Sequence, residues 1–250
     1  MNSIDITNFN YNYKENKIFE NFSLSIPKNS YTTIIGPMAS GKTTLFNAII
    51  NNHSSISING DLRFIKTDPN TQICGKTVKE QLSFFLESEG YRKRQIQTRV
   101  NNIIKEFSLQ DILLENPFSL SEGEKQLIVI CSIIVLDLDI LILDNALCRL
   151  DYQTKQKVLN YLLKLKKKKI TIINFASDVK EILNADNVVM INRKLIFNKK
   201  LKEALEDEKS FHNNNLKLPF MSDLSIKLKY YDLLDNQVLD MNKMVDTLWN

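Results

Sequence analysis

Residues 36–43 read Gly36-Pro37-Met38-Ala39-Ser40-Gly41-Lys42-Thr43, which fits the pattern G-x-x-x-x-G-K-[ST]. The pattern stands directly after an apolar run, Tyr31 to Ile35, and directly before a helical stretch, Thr43 to Ile50, and that strand–loop–helix context gives it meaning. Glycines let the backbone wrap phosphate oxygens, and amides at the helix N-terminus donate to them. The Lys42 ammonium neutralises β- and γ-phosphate charge, and the Thr43 hydroxyl coordinates Mg2+. With 6 glycines, 27 lysines and 30 serines plus threonines in 250 residues, a chance match anywhere has a probability of roughly 0.002 before context is counted. An incidental turn is the poorer reading.

Upstream of the loop, polar and apolar residues alternate from Ile4 to Ile35 (Ile4, Ile6; Phe22, Leu24, Ile26), which predicts antiparallel strands ending in the buried run Tyr31 to Ile35. Downstream, Thr77 to Asn116 has helical spacing, with Val78, Leu82, Phe84 and Leu86, then Val100, Ile103 and Ile104 on repeating faces, and Pro117 closes this insert. A helix carrying Leu127, Ile128, Cys131, Ile134 and Val135 leads into Ile140 to Leu143, a candidate buried strand. That strand ends in Asp144, where a carboxylate beside the phosphate loop holds a Mg2+ shell; the bland reading is a strand-end turn aspartate. Two more units repeat the theme. A helix over Tyr152 to Leu165 precedes the strand Ile170 to Phe175, and a helix over Val179 to Leu183 precedes the strand Asn187 to Ile191. Such alternation predicts a parallel sheet with helices on its faces. In the tail, Leu201 to Asn250, no buried strand stands out. Asp240 there caps an amphipathic helix with Met241, Met244, Val245, Leu248 and Trp249 on one stripe.

Composition narrows the function classes. The chain has 33 basic and 29 acidic residues, a net charge of +4, and 43% apolar positions, which fits an ordinary globular unit. The longest apolar run, Leu127 to Leu136, falls well short of the ~20 residues needed to cross a bilayer. The first residues lack the basic region and apolar core of a secretory signal, so a cytosolic chain is expected. Cys74, Cys131 and Cys148 suggest neither a disulfide framework nor a zinc site. Basic residues are scattered, so no nucleic-acid partner is expected. The runs Lys166 to Lys169 and Arg92-Lys93-Arg94 read first as solvated helix surface, although the second offers a patch for a partner.

Between the phosphate loop and Asp144 stands Leu120-Ser121-Glu122-Gly123-Glu124-Lys125-Gln126. It resembles the signature Leu-Ser-Gly-Gly-Gln of the ATP-binding-cassette family, with order and spacing to match. Leu150-Asp151 resembles the end of that family's D-loop, and Tyr13 falls where an aromatic ring stacks on adenine. Asp68-Pro69-Asn70-Thr71-Gln72 followed by Thr77-Val78-Lys79-Glu80 resembles segments of energy-coupling-factor ATPases, as does the tail around Leu216-Lys217-Leu218-Pro219-Phe220. The resemblance implies an α/β fold with a P-loop NTPase (RecA-like) core, an antiparallel β subdomain and a helical insert at about residues 72–120. It divides the chain into a nucleotide-binding domain, 1–200, and a small C-terminal domain, 201–250, with the segment Thr44 to Ile65 shorter than usual.

By the same resemblance, ATP is held by Tyr13, Gly36, Met38, Ala39, Ser40, Gly41, Lys42, Thr43 and Thr44, and Mg2+ by Thr43 and Asp144. Two cassettes pack head to tail, so Ser121 and Gly123 serve a nucleotide bound mainly by the partner. Ser121 and Glu124 also form a capping box that starts the next helix whatever the function. Glu122 and Glu124 depart from the family pattern; either they point away from the γ-phosphate or the site they face binds ATP less tightly.

Three positions depart in one chemical direction. Asn145 follows the Mg2+ aspartate where the family has glutamate, and a carboxamide accepts no proton from water at neutral pH. Ser177 replaces the switch histidine before Asp178, and Thr67 takes the place of the glutamine that senses Mg2+ and water. The expectation is a MgATP-binding subunit that turns over slowly or not at all, unless a carboxylate such as Asp178 stands in as base. Its partners are a second, catalytically complete cassette and a membrane-embedded subunit, at the cytoplasmic membrane face, in uptake of a vitamin or metal ion. A regulatory or scaffold protein, or a soluble cassette ATPase, are the alternatives.

Overall fold

The expected alternation becomes a long hairpin. In the computed structural model, which describes residues 2–249, β1 (Asn2–Tyr13) and β2 (Asn16–Pro27) pair antiparallel, with Ile4 opposite Ile26 and Ile6 opposite Leu24. Met1, Asn250 and the side chain of Trp249, the last apolar position of the C-terminal stripe, lie outside the described residues. β3 (Tyr31–Ile35) does not continue this sheet, contrary to the sequence reading. All five of its residues are buried, which suits a strand covered on both faces, and it lies in a parallel sheet. After α1 (Lys42–Ile50), β4 (Ile56–Ile58) adds to the other edge of β1, giving the order β2-β1-β4.

The second sheet has the order β5-β6-β7-β3-β8-β9. It is assembled from β5 (Leu62–Ile65), β6 (Ile140–Asp144), β7 (Thr171–Phe175) and β8 (Asn187–Ile191), all parallel with β3, and from β9 (Leu195–Lys200), which runs antiparallel to β8. β9 was missed in the sequence because only Phe197 of its six residues is buried, so it carries no apolar pattern to read.

Between β5 and β6 lie α2 (Val78–Ser88), α3 (Lys93–Phe107) and α4 (Glu122–Ile134). Pro117 opens a 3-10 turn, Pro117–Ser119, rather than ending a helix; α3 already stops at Phe107, where Ser108 adopts a left-handed conformation. α5 (Tyr152–Lys167) connects β6 to β7, and the next segment is a 3-10 run, Val179–Asn184, not an α-helix. The tail holds α6 (Leu201–Leu205), α7 (Glu208–Asn213), α8 (Phe220–Tyr230) and α9 (Met241–Trp249). Asp240 caps α9 as expected by accepting from Lys243 N at 2.9 Å, and Met244 is buried.

Alternate residues of the large sheet feed two cores. Ile140, Ile142, Ile173 and Phe175 pack with α1 and the inward side chains of β1 and β2, whereas Leu141, Leu143, Ile172 and Met190 pack with the residues of α2, α4 and α5. With both faces covered, only the strand ends stay accessible. The carboxyl ends of β3, β6, β7 and β8 open on one side of the sheet, the edge at which parallel α/β sheets present ligand-binding groups.

Candidate functional site

The loop 36–41 leaves β3 under tight steric control. A side-chain carbon on Gly36 would stand 2.1 Å from the Ile191 carbonyl oxygen at the end of β8. Gly41 has a φ of 98°, and a side chain there would meet the Phe19 ring at 2.6 Å. Both glycines are therefore required by geometry rather than merely tolerated. Gly41 also precedes α1 without a side-chain cap, and no acidic residue sits in the first turn. The helix thus presents its first amides and the positive end of its dipole with no carboxylate of its own first turn set against them.

The Lys42 ammonium folds over this loop, donating to the Gly36 carbonyl at 2.6 Å, the Pro37 carbonyl at 3.1 Å and Ser40 Oγ at 3.3 Å. Burial lowers its pKa and the Asp144 carboxylate works against that shift. Asp144 ends β6 and is itself buried, so burial raises its pKa while the Thr67 hydroxyl and Lys42 oppose the rise. Thr67 Oγ1 donates to the Asp144 backbone oxygen at 2.8 Å and lies 3.3 Å from its Oδ2. The structure thus places Thr67 against the aspartate, joining the ends of adjacent strands.

Asn145 takes a left-handed conformation, φ 51°, and its amide donates to the Phe175 carbonyl at 2.8 Å. Its carboxamide oxygen accepts from the Ser177 amide at 3.3 Å, so the side chain is spent on tying the end of β6 to the turn after β7.

A cavity of about 410 Å3 opens above the loop. Met38, Ala39, Ser40, Gly41, Lys42, Thr43 and Thr44 line it together with Tyr13 and Ser177, which brings together most of the positions expected to hold nucleotide. Gly36, Thr67, Asp144 and Asn145 are not part of this lining. Two residues that the sequence reading did not select also line it: Ile18 on β2 and Arg193, in the turn between β8 and β9. The signal for Arg193 was present, since it lies just beyond the carboxyl end of a predicted parallel strand.

Ser121 and Gly123 do not line that cavity. Ser121 caps α4, and the box with Glu124 forms in full: Glu124 N lies 3.3 Å from Ser121 Oγ, and Glu124 Oε2 accepts from Ser121 N at 2.9 Å and from its hydroxyl at 2.6 Å. Those donors lower the Glu124 pKa. Glu122 turns to Arg149, 2.6 Å, and Lys125, 3.0 Å. Glu122 is thus ion-paired within the chain, whereas Glu124 keeps its charge and is engaged by the Ser121 donors. A side-chain carbon on Gly123 would sit 3.0 Å from the Arg149 carbonyl oxygen, so the start of α4 lies close to the segment after β6.

Residues 19–148 match the family described as ABC transporter. The chain is 31% identical over 245 residues to the energy-coupling factor transporter ATP-binding protein EcfA of Pediococcus pentosaceus, covering 89% of this chain and 88% of that protein. It is 27% identical over 258 residues to EcfA1 of Mycoplasmoides gallisepticum, covering 96% and 92%. Among solved structures it resembles CbiO1 of Clostridium perfringens, part of the ABC transporter complex CbiONQ, with a TM-score of 0.73 over 89% of this chain and 98% of that one at 23% identity. A dimeric ATP-binding cassette in a post-hydrolysis state, bound to ADP and Pi, aligns with a TM-score of 0.70 over 79% and 98% at 19% identity. The structural likenesses establish the cassette fold.

Proposed function

The chain belongs to the ABC transporter family of ATPases, and from that footing we propose that it is the ATP-binding subunit of an energy-coupling-factor-type importer whose own nucleotide site binds MgATP but hydrolyses it poorly. The observation that carries this reading is the cavity over the phosphate loop: Lys42 and the open start of α1 on its floor, Tyr13 at one wall and Ser177, a residue without acid–base chemistry near neutral pH, at another.

In this reading the loop amides and Lys42 hold the phosphates, while Tyr13, largely exposed, offers its ring to the adenine. The donor set also suits a hard cation, because Thr43 and Asp144 supply only oxygen atoms and burial of Asp144 favours a positive neighbour. Mg2+, when bound, neutralises phosphate charge. Nothing in Thr67, Asn145 and Ser177 accepts a proton from water, and the Asn145 carboxamide is already engaged by the Ser177 amide. Losing the groups that orient water costs several kcal/mol of barrier, on the order of a thousandfold in rate. Binding depends on other residues and survives.

Ser121 and Gly123 then act on a nucleotide held by a second, catalytically complete cassette, while a membrane-embedded subunit recruits the pair to the cytoplasmic face of the membrane. Near-full-length similarity to energy-coupling factor ATP-binding proteins supports this, and no described helix is long and apolar enough to cross a membrane itself. The cargo is a small nutrient such as a vitamin or metal ion, and residues 201–250 act as a small C-terminal domain. Steady-state phosphate release tests the catalytic part: it should be near background for the unmodified chain and rise with Asn145→Glu. Brisk release by the unmodified chain, abolished by Lys42→Ala, would defeat it.

A further inference from the structure

We infer that Arg193 is a second cation for the bound triphosphate, working beside Lys42; the inference rests on reading the loop cavity as a nucleotide site. Arg193 sits in the turn between β8 and β9 with a left-handed backbone, φ 55°, a conformation that favours Asn or Asp over a long side chain. Its amide donates to the Ser40 carbonyl at 2.9 Å, so the turn is fastened to the phosphate loop. The same strand end meets the loop again at Gly36, where the Ile191 carbonyl leaves no room for a side chain. The backbone thus fixes the origin of the Arg193 side chain relative to the loop, and Arg193 is one of the residues that line the cavity.

Charge supports the assignment. No carboxylate lines the cavity, where Lys42 and Arg193 are the two cations, so the lining favours an oligophosphate even with the Asp144 carboxylate acting on Lys42. Arg63, Arg99 and Arg149 are each paired with a carboxylate, whereas among the described residues Arg193, like Arg92 and Arg94 on the helical insert, has no ion-pair partner, and of these three only Arg193 lines the cavity. The Lys42 ammonium is occupied by loop carbonyls, but the Arg193 guanidinium keeps its donors for a ligand, and its planar fork matches two phosphate oxygens. A structural role for this residue needs only its amide, which any side chain would leave in place. Ser177, which also lines the cavity, carries no charge, so Arg193 supplies a cation to a site that lacks an imidazole. A guanidinium does not accept a proton at neutral pH, so Arg193 does not replace the missing general base.

The test is equilibrium binding of MgATP and of adenosine to the full chain, unmodified and as Arg193→Asn and Arg193→Lys, at low and at physiological salt. Asparagine tolerates the left-handed backbone and keeps the amide bond to Ser40, which separates charge from fold. Arg193→Asn should weaken MgATP binding by roughly tenfold or more and flatten its salt dependence, while Arg193→Lys recovers part of the loss and adenosine affinity stays unchanged. Binding of MgATP by Arg193→Asn within about twofold of the unmodified chain would overturn the inference. So would an equal loss of MgATP and adenosine affinity, which would mark a disturbed loop instead. An unmodified chain that binds no nucleotide would instead remove the site reading, and this inference with it.

Discussion

Gly36 and Asp144 show how single residues set the site. At Gly36 there is no space for even a methyl group, because the Ile191 carbonyl oxygen already occupies its place. Gly36→Ala should therefore cost about 1–3 kcal/mol of stability, read from denaturant unfolding, and weaken nucleotide binding with it. Asp144 carries the opposite tension: burial raises its pKa although Thr67 and Lys42 both lower it. A raised folded value means that the fold binds the proton more tightly than the unfolded chain does. The associated stability is fully present on the acid side of the ordinary carboxylate value and is lost as pH rises through the raised one. Asp144→Asn should remove that pH dependence, raise the thermal midpoint of the nucleotide-free chain at neutral pH, and abolish the gain in ATP affinity that Mg2+ provides. Both residues were legible in the sequence because loop glycines and a strand-end aspartate act through local chemistry. Arg193 was not selected, because what makes it notable is an amide bond to Ser40 from a distant part of the chain.

Among the elements, helix starts were readable where a capping side chain marks them: Thr77 for α2, Ser121 for α4 and Asp151 for α5 each accept from the backbone three residues on. β9 escaped because it alternates too weakly to be seen, whereas the segment after Asp178, read as a helix, is the 3-10 run Val179–Asn184, capped by Asp178 and burying Glu181 and Ile182. Glu181 accepts from Lys155 of α5 at 2.6 Å and from Asn174 of β7 at 2.7 Å. That pair, with Glu181 buried and Lys155 partly exposed, ties the helix after Asp151 to the 3-10 run that follows Ser177. Lys155→Ala leaves a buried carboxylate without its cation and should cost about 3–5 kcal/mol, measured by denaturant unfolding. A change well under 1 kcal/mol would show that water reaches Glu181.

For the molecule as a whole, the parallel order of β6, β7, β3 and β8 puts the phosphate loop, Asp144, Asn145 and Ser177 at one edge of a sheet buried on both faces. This architecture follows from the succession of apolar strands and helices. The placement of β3 inside the parallel sheet follows from its uninterrupted burial, which the alternation upstream of it obscured. In a scaffold of this kind affinity and turnover are separable, since loop amides and Lys42 serve the first while the residues after β5, β6 and β7 would serve the second. The most direct measurement pairs a MgATP titration of the purified chain with phosphate release from the same sample. Saturable binding lost in Lys42→Ala, with release on the order of a thousandfold below that of a cassette retaining its glutamate, is the predicted result. Absence of saturable binding, or release as fast as the complete cassette, would contradict the account.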